Sequence, residues 1–275
     1  ATLKRSALAI HRALNFVPLR SLKLIAEFFS VLASVYVIAK FIPSSWLNTL
    51  PATGGDMGSH FWPVKILHDY GIPNWVARPW NPGNNGGEGL LVHYFPLPFW
   101  FMGLLSFVIP LGLAFNIGTL LPVMTLPFSV WVGLKLMGIR FPASVLAAIF
   151  SSAMVLNEGY SMWGGNTLST LAGQFAHMYA LNFLILGLGL LWRELNQNNL
   201  PWKSGLVLSA VALSHGYIYF GVPPLLLGPP IRPSGLSPGH LRHLMLGQVF
   251  LLHSGVLPAD IWPCSVRLCS PTSTL

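Results

Sequence analysis

Asp56 is the residue whose surroundings most strongly suggest chemistry. It lies in the run TGGDMGSH (53–60), just after a long apolar segment, where a carboxylate is close to a membrane surface yet accessible to water. The neighbouring glycines permit positive φ and the close approach of a ligand. A carboxylate in such a place can act as a general base or bind a divalent cation such as Mg²⁺ or Mn²⁺. If the segment is helical, His60 lies one turn further on and shares a face with Asp56. The structural alternative, compatible with the first, is that Asp56 caps a helix that starts at about Met57.

Glu158 is the second acidic candidate. It stands in Asn157-Glu158-Gly159, where another apolar segment ends. An acid at a membrane boundary is often only solvated. A second acid on the same side as Asp56 raises the prospect of a catalytic pair, which would also supply the two ligands of a cation site.

Polar and aromatic residues near these acids are candidates for binding a substrate. The Asn and Gly residues of 80–89 indicate consecutive turns, whose backbone amides can also line an anion or polyol site. Tryptophans here could stack on a sugar, although interfacial tryptophan is common in membrane proteins. Loop cations could hold a phosphate. The predicted substrate-binding residues are His60, Lys65, Arg78, Trp80, Glu88, His93 and Asn166.

The composition predicts a membrane protein. Of the 275 residues, 53% are hydrophobic and only 8% are charged, too few to cover a soluble protein of this size. The net charge of +8 is explained by basic residues between apolar segments, so nucleic acid is not predicted as a partner. The only cysteines, Cys264 and Cys269, indicate neither a disulfide framework nor a metal site.

The elements that must position these residues form an all-α, polytopic transmembrane helical bundle. Lys135 with Arg140, and Arg193 with Lys203, mark two cytoplasmic turns. Both turns fall on the cytoplasmic side only if residues 97–115, interrupted near Pro110, form a re-entrant or interfacial helix rather than a crossing. About five spans are then expected, at 22–42, 118–137, 142–158, 174–192 and 204–227. Two long loops, 44–117 and 157–173, fall on the non-cytoplasmic side.

The ends of the chain differ from this module, which covers 21–227. Residues 1–20 are expected to form a cytoplasmic amphipathic segment. Residues 228–275 mix Pro, Ser, His, Arg and Leu without a helical or strand period. Two explanations stay open for this tail: an out-of-frame or truncated gene model, or a genuine, disordered tail. His215, in the last predicted span, is either functional or a neutral histidine bonded to a neighbouring helix.

Three segments carry a resemblance to a known superfamily: GGDMGSHFWPVKIL, WNPGNNGGEGLLVHYFPLPF and WGGNTLSTLAGQFAHMYALNF. They resemble C-type (GT-C) integral membrane glycosyltransferases, in particular a bacterial branch of multi-pass proteins labelled as related to 6-pyruvoyl-tetrahydropterin synthase. The resemblance covers roughly 20–227 and implies an N-terminal fragment of a longer protein. It implies that Asp56 serves as base or metal ligand and that Glu158 assists or holds the metal.

The resemblance implies sugar transfer from a polyprenyl-phosphate donor, a membrane lipid, at the non-cytoplasmic face. The expected location is the bacterial plasma membrane, with a cytoplasmic N-terminus. A non-catalytic membrane subunit that uses the first loop for docking is the second hypothesis, and a transporter or flippase is the third.

Overall fold

The computed structural model describes residues 19–83, 86–92, 94–159 and 164–220, and within them the chain is mostly helical. Residues 1–18 of the predicted amphipathic segment and the tail from 228 lie outside these residues, while residues 19 and 20 belong to the first helix. The helices are α1 (Leu19–Lys40), α2 (Met57–Ile66), α3 (Pro96–Leu105), α4 (Leu111–Leu136), α5 (Ala143–Val155), α6 (Thr167–Ser169), α7 (Phe175–Asn196), α8 (Trp202–Ser214) and α9 (Gly216–Phe220). A 3₁₀ turn (Ser44–Leu47), π-helical turns (Leu67–Gly71 and Thr170–Gln174) and a hairpin of β1 (Trp80–Asn81) with β2 (Glu88–Gly89) complete the list.

Three helical stretches in the described residues are long and apolar enough to cross a membrane. They cover Ser21–Lys40, Leu111–Leu136 and Thr167–Asn196, the last including α6, the π turn and α7. On α1, large apolar side chains stay exposed, among them Phe29 at 60% and Ile25 at 49%. An apolar face of this kind is stable against lipid tails and unfavourable in water.

The predicted interfacial segment is a short helix. α3 has ten residues and is therefore roughly 15 Å long, half of a hydrocarbon core. It begins at Pro96, which suits the first turn of a helix because proline lacks an N–H. Residues 106–110 separate it from α4.

The helix after this break starts earlier than the sequence indicated, at Leu111 rather than near 118. Asn116, in the part of the helix that was not predicted, has hydrogen-bond partners inside the fold. The Asn116 side chain donates to the Leu50 carbonyl at 2.8 Å and accepts from the Ala52 N–H at 2.7 Å. Gly112 lets the incoming chain approach closely, since a Cβ there would lie 2.2 Å from the Thr49 carbonyl oxygen.

The predicted span at 204–227 is also interrupted. α8 ends at Ser214, and His215 is extended (φ −164°, ψ 110°) before α9 begins at Gly216. The part of this span from 221 to 227 lies outside the described residues.

The long helices give the bundle two distinct ends. α1 and α4 are antiparallel: Glu27 near the start of α1 pairs with Lys135 near the end of α4, and Ile38 near the end of α1 shares a buried cluster with Val123. α4 and α7 run in the same direction, because Gly118 is next to Tyr179 at one end and Gly133 is next to Gly189 at the other. We call the end with Lys135, Arg140 and Lys203 the basic end, and the end with residues 52–60 and 164–174 the loop end.

Pro122 inside α4 leaves a backbone carbonyl without its usual hydrogen-bond donor, and a side chain of α7 supplies one. Pro122 has no N–H for the Gly118 carbonyl four residues earlier. The Tyr179 hydroxyl donates to that carbonyl at 2.7 Å. Asn182, one turn further along, donates to the Pro122 carbonyl at 2.8 Å and accepts from the Ser129 hydroxyl at 2.6 Å. These bonds fix the register of α7 against α4, and with it the position of the loop end.

Candidate functional site

A backbone hydrogen bond joins the two long loops at Asp56. The Asp56 N–H donates to the Ala172 carbonyl at 2.9 Å. Two glycines make this approach feasible. A Cβ on Gly55 would lie 2.4 Å from the Ala172 oxygen, and one on Gly173 would lie 3.0 Å from the Cβ of Asp56. Both glycines have positive φ, +49° and +118° respectively, which other residues rarely adopt.

The Asp56 carboxylate is exposed at this junction. Asp56 occupies the N-cap position of α2, as the capping alternative expected, but its side chain makes no capping hydrogen bond. None of the described residues hydrogen-bonds to the carboxylate. The oxygens are therefore free to receive a proton or a hydroxyl from outside the chain.

His60 lies one helical turn from Asp56, on the face that the sequence predicted. The backbone N–H of His60 donates to the Asp56 carbonyl at 3.1 Å. A Cβ on Gly173 would contact both the Asp56 side chain and the His60 ring. The imidazole packs against Phe175 and Phe99, with ring centroids 5.3 and 5.8 Å away. Burial lowers the pKa of His60 below its ordinary 6.5, while the Asp56 carboxylate acts in the opposite direction. His60 is thus a neutral imidazole at neutral pH.

Tyr94 is a site residue that the sequence analysis did not select. Its ring lies 5.4 Å from that of His60 and 5.5 Å from that of Phe99, and 37% of the residue is exposed. Burial, together with the negative charge of Asp56, raises the pKa of Tyr94 to about 12. It therefore keeps its proton and can donate a hydrogen bond beside the carboxylate. The only sequence signal was its place in the polar-aromatic run ending at Pro96.

Two further histidines continue this row of rings. Phe95 follows Tyr94 and lies 5.2 Å from His215, which in turn lies 5.3 Å from His177. The Nδ1 atom of His215 is buried and has no hydrogen-bond partner among the described residues. The sequence left His215 either functional or a neutral histidine bonded to a neighbouring helix. The described residues show no such bond through Nδ1. The helix break at His215 brings this ring to the loop end.

The hairpin is attached to α2 through Trp62. The Trp62 indole N–H donates to the Asn81 side chain at 3.0 Å, and Asn81 donates to Glu88 at 3.2 Å. This hydrogen bond from Asn81 holds the Glu88 carboxylate in place within the hairpin. The Trp80 ring covers Gly87, where a Cβ would lie 2.3 Å from it, and 61% of Trp80 stays exposed. Trp80 keeps an accessible surface that could stack on a sugar.

The cations of the first loop differ in how they are engaged. Lys65 is paired with Asp69 at 2.5 Å, one turn along the helix. Arg78 is half-buried and has no ion pair among the described residues, and burial lowers its pKa. A guanidinium without a carboxylate partner is the better-suited of the two for a phosphate. His68 is engaged with Ser106 at 2.7 Å.

Glu158 and Asn166 lie in the second loop. Glu158 is exposed, just after α5. Asn166 is buried, accepts from the Ser169 N–H at 2.9 Å and donates to the Asn157 carbonyl at 2.9 Å. Its amide thus holds the loop around Glu158 in place, and the predicted substrate contact of Asn166 stays a prediction.

The described residues contain no ready-made cluster of metal ligands. In 19–83, 86–92, 94–159 and 164–220, no three His, Cys, Asp or Glu side chains form a group that could hold a metal ion. No described contact joins Asp56 to Glu158. The assignment of Asp56 and Glu158 as metal ligands stays a prediction, since Mg²⁺ commonly takes only one or two carboxylates and completes its shell with phosphates and water.

His93 lies outside the described residues, so its predicted role stays a prediction.

No protein-family model matches the chain, and no curated protein or solved structure was found to be similar to it.

Proposed function

We propose that the protein transfers a sugar from a polyprenyl-phosphate donor to an acceptor hydroxyl at the loop end. The observation that carries the proposal is the Asp56–Ala172 hydrogen bond, which places an unpartnered carboxylate where both long loops meet. His60 and Tyr94 beside it provide a neutral imidazole and a phenol proton. The resemblance of three segments to GT-C enzymes supplies the reaction class.

In the proposed reaction, Asp56 is the general base. Its carboxylate takes the proton of the acceptor hydroxyl while the acceptor oxygen forms a bond to the anomeric carbon of the sugar. The bond from that carbon to the phosphate oxygen breaks, and its electron pair leaves with the polyprenyl phosphate. Arg78 is proposed to stabilise the negative charge that develops on this phosphate.

The remaining candidates have supporting roles in this proposal. Tyr94 donates a hydrogen bond to the acceptor or the sugar, and Trp80 offers its exposed surface for stacking. Glu158 stays a candidate second acid from the other loop.

We propose a membrane topology with more spans than the three long helices. It takes α1, α4, α5, the α6–α7 stretch and α8–α9 as five spans and α3 as an interfacial helix. The loop end is then non-cytoplasmic and the N-terminus cytoplasmic, in a bacterial plasma membrane. The positive charge of the basic end supports this orientation.

The docking hypothesis has an observation of its own. Trp75 is 94% exposed and Leu50 is 70% exposed, both within the first loop. Such residues can anchor a protein partner, and they can equally lie in the membrane interface. A transporter stays the third hypothesis, since no described observation favours it over the other two.

One reconstitution separates the three hypotheses. The purified protein in liposomes is given a polyprenyl-phosphate hexose, labelled in the sugar, and a mixture of acceptor lipids and glycans. A transferase releases one polyprenyl phosphate for each labelled product. A docking subunit leaves the donor intact, and a flippase moves it to the other leaflet without releasing phosphate. An intact donor with every acceptor tested would contradict the proposal.

A further inference from the structure

A cavity opens at the basic end, opposite the candidate site. Its volume is about 560 Å³, and it lies between the N-terminal part of α1 (residues 23–27), the last turn of α4 and the residues that lead into α5. Basic side chains from all three segments line it. They are Lys23, Lys135 and Arg140.

The charges in this cavity are not balanced. Glu27 is the one acid in the lining, and it is buried, with 4% exposure. Its carboxylate is already used by Lys135 and by the Trp131 indole N–H at 3.1 Å. Lys23 and Arg140 are exposed and have no ion pair within the described residues. With three cations and one carboxylate, the lining carries a net charge of +2.

The rest of the lining is apolar and continuous with the exposed face of α1. Leu24 is 43% exposed and Phe141 is 48% exposed. The Lys23 ammonium lies 4.8 Å from the centroid of the Phe141 ring, which holds this cation at the mouth of the cavity. A ligand that matches both properties has an anionic head beside an apolar chain.

We infer that this cavity binds the phosphate headgroup of an anionic phospholipid, such as phosphatidylglycerol. Lys23 and Arg140 contact the phosphodiester, and the acyl chains lie along the apolar face of α1 beside Leu24. Basic pockets between helices at a membrane surface bind anionic headgroups in this way. The site is separate from the proposed donor site, because it lies at the other end of the bundle, and it does not depend on the proposed function.

Competition in detergent tests the inference. The full chain is purified with a fluorescent phosphatidylglycerol, which is displaced by unlabelled phosphatidylglycerol, phosphatidylcholine or inorganic phosphate. We expect phosphatidylglycerol to compete at least tenfold better than phosphatidylcholine and inorganic phosphate to have little effect. Binding should also fall as NaCl is raised, since exposed cations are screened by salt.

Variants assign the binding to this cavity. Lys23→Gln and Arg140→Gln should each weaken phosphatidylglycerol binding about fivefold, as expected for one interfacial cation, and together by about twenty-fivefold. Both side chains are exposed, and neither makes a hydrogen bond or ion pair to Glu27 or Lys135, so the contacts of the buried pair are kept. Lys40→Gln, on α1 at the loop end, is the matched control and should bind as the wild type does.

Three results would overturn the inference. The first is equal competition by phosphatidylcholine. The second is a double variant that binds phosphatidylglycerol no more weakly than Lys40→Gln. The third is displacement by inorganic phosphate at the same concentration as the lipid, which would indicate a site for free phosphate. The salt dependence in the wild-type protein gives an answer even if a variant fails to fold.

Discussion

The backbone N–H of Asp56 donates to the carbonyl of Ala172, and this bond holds the two long loops of the protein together. It brings the N-terminus of α2 to the π turn before α7. The carboxylate of Asp56 lies close enough to His60 and Tyr94 for its charge to act on the pKa of both side chains. The geometry of the candidate site thus depends on how closely two backbones approach.

Replacing the glycines of this junction should destabilise the protein. Gly55→Ala places a Cβ 2.4 Å from a backbone oxygen, and Gly173→Ala places one 3.0 Å from the Asp56 and His60 side chains. We expect each change to lower the free energy of unfolding by about 2 kcal/mol, from strain and overpacking. Thermal unfolding in detergent measures it.

Gly58→Ala is the matched control for these variants. Gly58 lies in α2, and a Cβ there would meet nothing within 4 Å. Alanine favours a helix over glycine by about 1 kcal/mol, so this variant should be slightly stabilised. Equal stability of all three variants would contradict the close approach.

His60 should make stability depend on pH in a defined direction. Its pKa is lowered in the folded protein by burial, so the unfolded chain binds a proton first as the pH falls. The stabilising contribution is complete above about 6.5, the ordinary pKa. It is lost as the pH falls from there toward the lowered value. The melting temperature of the wild type should therefore fall more steeply with acidity than that of His60→Gln, and parallel curves would contradict this.

The charge of Asp56 should be detectable in the titration of Tyr94. Asp56 is one cause of the raised pKa of Tyr94, which is about 12. Asp56→Asn removes that charge and should lower the pKa of Tyr94. The measurement is tyrosinate absorbance, with Tyr94→Phe subtracted in each background to isolate this residue. An unchanged or higher pKa would mean that the two side chains do not interact.

The Tyr179 hydroxyl should matter only while Pro122 is present. Tyr179→Phe leaves the Gly118 carbonyl without a donor and should lower the free energy of unfolding by about 1 kcal/mol. Pro122→Ala restores an N–H at the position that serves this carbonyl within α4. In that background, Tyr179→Phe should cost much less. A double-mutant cycle measures the difference, and equal costs in both backgrounds would refute the explanation.

The all-α class was predictable because it follows from the amino-acid composition and from the length of the apolar segments. Few charges and long apolar runs predict helices that could cross a membrane, and the described part of the chain contains three of them. The short α3 agrees with the interruption expected near Pro110. The start of α4 could not be predicted, because the bonds of Asn116 to Leu50 and Ala52 that accommodate it in the helix are not visible in the sequence. These bonds join residues far apart in the sequence.

The candidate site was predictable only in part. The spacing of Asp56 and His60 predicted their shared face, and the structure places them together. Tyr94 has no distinctive spacing and reaches the site through tertiary packing. Glu27, which lies at the basic end and not in the candidate site, was not selected either, because one acid in an apolar run gives no sign of its partner Lys135. The meeting of Asp56 with Ala172 depends on the fold of both loops and leaves no local pattern.

The most direct measurement compares Asp56→Asn with Asp69→Asn in the reconstituted transfer assay. Both acids lie in the first loop, but Asp69 pairs with Lys65 while the Asp56 carboxylate has no described partner. The initial rate of polyprenyl-phosphate release is measured at equal amounts of inserted protein. We predict that Asp56→Asn lowers this rate at least a hundredfold, the usual loss for a general base, and that Asp69→Asn changes it less than threefold. Full activity of Asp56→Asn would contradict the role assigned to this carboxylate.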